Sequence, residues 1–63
     1  MKFAHFTTPD GRDVPVNPNL VADVIEAPPG QYDPRARAAI MLVQGVQAVR
    51  ETKAEVLKRL EEA

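Results

Sequence analysis

The chain has no cysteine and a single histidine, His5, among its 63 residues. Without thiols no disulfide can staple the fold, and one imidazole is too few for the His and Cys clusters that hold structural zinc. The absence of cysteine also removes the usual mark of an oxidising compartment. Aromatic residues make up only 5% of the sequence, and its three glycines stand apart, so no glycine-rich loop exists to cradle a phosphate. The longest apolar run, Ala38 to Val43, is far too short to span a bilayer. The opening stretch, MKFAHFTTPDG, breaks into polar turn residues before it could build the apolar core of a signal peptide. A cytoplasmic protein with no membrane segment is expected.

What is present is the balance of an ordinary folded domain. Hydrophobic residues are 44% of the chain, charged residues 27%, and the formal net charge is −1. That is too apolar for a disordered chain and too neutral for one governed by attraction to nucleic acid. A single small domain of this length buries only about 60% of its unfolded surface. Self-association is a natural source of further stability.

Along the chain, Thr8-Pro9-Asp10-Gly11-Arg12 is the clearest local signal. Proline presets φ for the first turn position, aspartate can bond its own backbone, and glycine accepts positive φ. The flanks KFAHFTT and DVPV carry the β-branched and aromatic residues of strands, predicting a hairpin with strands over 2–8 and 12–17. Pro15 cannot donate to a ladder, which places it at an edge, at a bulge or on the outward side. Asn17-Pro18-Asn19 breaks the chain, and the alternation in LVADVIEA favours a third strand over 20–27, with a short helix from Asn19 as the competitor. Pro28-Pro29-Gly30 ends that element, and QYDPRAR reads as a polar loop.

The segment VQGVQAV, residues 43–49, admits two readings. A helix from Asp33-Pro34 to the C-terminus would place Ala39, Leu42, Val43, Val46, Val56 and Leu60 roughly on one stripe, with Gly45 costing about 1 kcal/mol. Against it stands Thr52-Lys53-Ala54-Glu55, a capping box in which the threonine side chain takes the N3 amide and the glutamate reaches back. A cap residue has non-helical backbone, so a helix over 53–62 requires something else before it. A turn at Gln44-Gly45 would pair Val43 with Val46, Met41 with Ala48 and Ile40 with Val49, giving strands over 38–43 and 46–51. The expected fold is α+β: a small antiparallel β-meander of about five short strands followed by one C-terminal helix.

The order of these features resembles the small flagellar-operon proteins of the FlbD type and other short bacterial proteins of similar layout. The likeness is carried by Gly11, Asn17, Ile25, Glu26, Ala27, Pro28, Gly45, Val49, Glu51 and Val56, while the loop APPGQYDPRARA departs from the pattern. It implies a β-rich fold with a terminal helix and little about function.

Reaction chemistry finds no foothold. His5 lacks the acidic, His or Cys partners that catalysis or a metal would need, Asp10 is explained by the turn, and Asp13 by solubility. No catalytic, metal or cofactor residues are assigned, and a non-enzymatic protein is expected. One helix can cover only one face of a five-stranded sheet, yet the fourth strand is apolar on both faces. Either the strands curl into a barrel or a second molecule covers the spare face. Ile40, Leu42 and Val49 are the candidate interface of a homo-oligomer, with a two-fold dimer favoured. The competing expectation is a small RNA- or DNA-binding regulator that uses Arg35 and Arg37, with Tyr32 stacking on a base.

Overall fold

The N-terminal hairpin forms around a three-residue loop, Pro9-Asp10-Gly11. Gly11 donates its amide to the Thr8 carbonyl at 2.9 Å with φ of +95°, and the Thr8 amide closes the loop onto the Arg12 carbonyl at 2.8 Å. A type I turn followed by a left-handed residue needs glycine at that position. The computed structural model describes residues 2–63. The hairpin strands are β1 (Ala4–Thr7) and β2 (Asp13–Val16), paired antiparallel from Ala4 with Val16 to Thr7 with Asp13. Pro15 is exposed and pairs with His5, in a two-stranded sheet where a missing donor costs no ladder bond.

Asn17 then caps a single 3-10 turn, Pro18–Leu20, accepting the Asn19 amide at 3.0 Å. The helix that competed at Asn19 is this one turn, and the chain goes directly into β3 (Val21–Glu26). After the loop come β4 (Ala38–Leu42) and β5 (Gly45–Val49), and these three strands make a second antiparallel sheet in the order β3-β4-β5. The fold is α+β with five short strands, as the sequence predicts, but the strands divide into two sheets where one five-stranded sheet was expected. The break at Asn17-Pro18-Asn19 is the reason, since it carries the chain away before β2 and β3 can pair.

Gly45 does not sit in the turn. The turn residues are Val43 and Gln44, and the register pairs Leu42 with Gly45, Met41 with Val46, Ile40 with Gln47 and Ala38 with Val49. The expected pairing is corrected by a slip of two residues, which leaves every side chain on its own face.

Helix α1 (Lys53–Glu62) starts where the capping box places it. Thr52 has extended backbone, φ −71° and ψ 161°, and its hydroxyl accepts the Glu55 amide at 3.3 Å. Glu55 does not reach back; its carboxylate pairs with Arg59 one turn on, at 3.1 Å. Val56 is fully buried and Leu60 half-buried against the core, while Leu57 is 43% exposed. One core lies between the sheets and the helix: Ala4, Phe6 and Val16 from the hairpin, Val24, Ala38, Ile40 and Val49 from the second sheet, and Val56 from α1.

A polar latch joins the sheets at the end of β1. The Arg50 amide donates to the Thr7 carbonyl at 2.8 Å, and the Thr7 amide donates to Glu51 Oε1 at 2.9 Å, so a side chain completes a ladder the backbone has left. Arg59 Nη1 bonds Glu51 at 3.2 Å and the His5 carbonyl at 2.9 Å, with its guanidinium 5.9 Å from the Phe6 ring centre. Burial pushes the Glu51 carboxyl up, but the Thr7 amide, its own backbone and the Arg59 charge outweigh it and hold the group below the ordinary glutamate value.

Candidate functional site

Strand pairing decides which residues share a surface. Val24, Ile40 and Val49 point to the core, where Val56 of α1 covers them. Positions of the other parity form two cross-strand rows on the far side: Asp23, Met41 and Val46, then Ile25, Ala39 and Ala48. Five of these six side chains are apolar. Val46 is 48% exposed, and Val43, at the adjacent turn, is 73% exposed. Ile25, Met41 and Ala48 are partly exposed, while Ala39 in the central strand has none of its surface open. The interface predicted at Ile40, Leu42 and Val49 is therefore corrected: Ile40 and Val49 have zero exposure inside this chain, and Leu42 is half-buried against the core. The spare apolar face is the opposite one.

The second candidate surface is basic. Asp33 shapes the loop before β4, its carboxylate accepting the Arg35 amide at 2.8 Å and its carbonyl the Ala36 amide at 2.8 Å. The helix that could have started at Asp33-Pro34 is thus only an isolated turn. Arg35 closes back on Asp33 with two bonds of 3.1 Å, and that guanidinium pulls the Asp33 carboxyl down to about 2. Arg37 donates its amide to the Val49 carbonyl at 2.9 Å, which sets it beside Arg50 at the end of the β4–β5 ladder. Pro34, Arg35, Arg37 and Arg50 consequently line one open hollow. Arg50 is braced by bonds of 3.0 and 2.8 Å from Nε and Nη2 to the Pro9 carbonyl. Tyr32, expected beside Arg35 and Arg37 as a stacking platform, lines a different hollow with Ala27, Pro28, Pro29 and Ala36.

The remaining chemistry-bearing residues are accounted for by local structure. Asp10 accepts from the Thr8 hydroxyl, which holds its carboxyl below the ordinary aspartate value, and Arg12 stands 3.3 Å away. The expectation that His5 has no acidic partner is corrected by the hairpin, which brings His5 Nδ1 to 3.0 Å from Asp13 Oδ2 on its outer side, with both side chains mostly exposed. Among the described residues, no group of three or more His, Cys, Asp or Glu side chains is placed to hold a metal ion. Among the same residues, no helix is long and apolar enough to cross a membrane. No family model matches the chain, and no curated protein or solved structure is significantly similar to it.

Proposed function

We propose that this is a non-enzymatic cytoplasmic interaction protein that self-associates, as a two-fold dimer, through the outer face of β3-β4-β5. The observation that carries the reading is the pair of apolar rows around Met41, Val46, Ile25 and Ala48, on the side of the sheet that α1 leaves uncovered. An antiparallel sheet open to water on one side ordinarily alternates polar residues outward. Here only Asp23 does so among the six row positions. A two-fold axis would lay each apolar row on its own copy, so a single patch suffices to close the assembly. The likeness to FlbD-type proteins stays a proposal of relationship and adds no ligand.

Sedimentation at micromolar concentration tests it. The wild type should run as a dimer, and Val46→Asp should weaken association about tenfold or more, since a charge is buried without a partner at the centre of the contact. The variant's circular dichroism should be unchanged, because Val46 lies outside the monomer core. A wild type that remains monomeric throughout overturns the proposal.

Nucleic-acid binding is the second reading, favoured by the convergence of Arg35, Arg37 and Arg50. It is weakened by the placement of Tyr32 elsewhere and by Asp33, which already neutralises Arg35. Salt separates the two readings: binding to phosphates fades steeply as salt rises, and apolar association survives.

A further inference from the structure

The chain carries nine acidic and eight basic residues, yet three of its arginines line one hollow, where the carboxylates that reach them are Asp33, paired with Arg35, and Asp10, whose charge also acts on Arg35. Arg37 and Arg50 lie side by side at the end of two paired strands, and like charges in that relation repel. Arg50 shares the Asp33 charge with Arg35, and the Arg37 guanidinium has no carboxylate partner among the described residues. An arrangement that costs the chain stability is expected where something outside it supplies the counter-charge.

The unspent hydrogen bonds point the same way. A guanidinium has five N–H donors. Arg35 commits Nε and one Nη2 hydrogen to Asp33, Arg50 commits the same two positions to the Pro9 carbonyl, and the Arg37 side chain donates to no described residue. Two of the three forks are therefore fixed in orientation with donors to spare, and the third is free to close. Because the Arg35 guanidinium holds the Asp33 carboxyl down to about 2, the Arg35 fork keeps its brace wherever a ligand would be charged. Planar forks of this kind match the oxygens of a tetrahedral anion two at a time.

We infer that the hollow bounded by Pro34, Arg35, Arg37 and Arg50 binds a phosphate group, independently of the apolar sheet face. A small phosphate fits better than a nucleic-acid strand for two reasons on the molecule. The hollow has no aromatic wall to stack a base, and the net charge of −1 works against a long polyanion.

The test is a titration of the whole protein with inorganic phosphate, with glycerol 3-phosphate and with a short single-stranded RNA, at constant ionic strength against chloride. Backbone and Arg Nε resonances are followed by NMR. Phosphate should shift the signals of Arg35, Arg37 and Arg50 saturably, and Arg37→Gln, which removes no hydrogen bond of the fold, should weaken binding about tenfold. Lys58→Gln on α1 should leave binding unchanged, as should Val46→Asp, which separates this site from the dimer face. Tighter binding of the ester assigns the site to a phosphate monoester, and equal binding assigns it to free phosphate; both support the inference. Absence of a saturable shift, an Arg37→Gln protein that binds like the wild type, or binding of RNA alone overturns it.

Discussion

The β1-β2 hairpin turns His5, Asp13 and Pro15 to solvent, whereas the three-stranded sheet turns out Ile25, Met41, Val46 and Ala48. Both sheets give their inner faces to the same core beneath the same helix. Their needs are nevertheless opposite. An isolated two-stranded hairpin is marginal in water, so β1-β2 depends on docking to the rest of the chain, through Phe6 and the Glu51–Arg59 latch. Once docked, its polar exterior asks for nothing more. The three-stranded sheet has its backbone bonds in hand, and its exterior is what remains to be covered. Both sheets feed the core, and the proposed association would use the outer face of β3-β4-β5 alone.

Phe6→Ala should give the largest effect on this division, about 3–5 kcal/mol for a buried aromatic. A domain of this size holds only about 3–9 kcal/mol in total, so urea unfolding should lose both sheets together in one transition. An NMR spectrum with β3-β4-β5 intact and the hairpin melted would show that the sheets do not share a core.

Glu51→Gln comes next, at about 1–3 kcal/mol, because the Thr7 amide and Arg59 keep a partner but lose its charge. Its pH dependence sharpens the comparison. The Glu51 carboxyl is held below its unfolded value, so its contribution is complete above the ordinary glutamate range and is lost as pH falls through the lower folded value. Urea midpoints of wild type and variant should therefore converge on the acid side. Curves that stay parallel would place the acid sensitivity elsewhere. The smallest change is expected for Asp13→Asn, which breaks the exposed pair with His5 and should cost less than about 1 kcal/mol. A larger loss in thermal melts would mean that the hairpin exterior is packed against something after all.

Much of this was legible from local chemistry. Pro9-Asp10-Gly11 announced its turn, and Thr52 with Glu55 three residues on announced the start of α1 within the residues that form it. Both signals act over four or five residues and need no tertiary context. The split into two sheets was not legible as such, because it turns on whether β2 and β3 find each other after the Asn17 cap. Which face of β4 is inside also escaped: Ile40 and Met41 are both apolar, and the side on which α1 docks is not encoded in their alternation. The basic hollow was half visible. Arg35 and Arg37 stand close in sequence, but Arg50 joins them only because Arg37 and Arg50 are equally far from the Val43-Gln44 turn, and a turn at Gln44-Gly45 would have separated them.

The ties that hold the hairpin in place join Thr7 to Glu51, Pro9 to Arg50 and His5 to Arg59, across 44, 41 and 54 residues. Loops of that length lose their entropy before any contact repays it, and such pairings slow a folding reaction relative to one built on neighbours. The hairpin itself closes over three loop residues and can form early. Until it docks, its apolar inner face and the outer face of the other sheet are open to solvent at the same moment, which is when a chain of this kind is most exposed to misassembly. Docking of the hairpin onto residues more than forty positions away is therefore the step expected to limit the rate of folding.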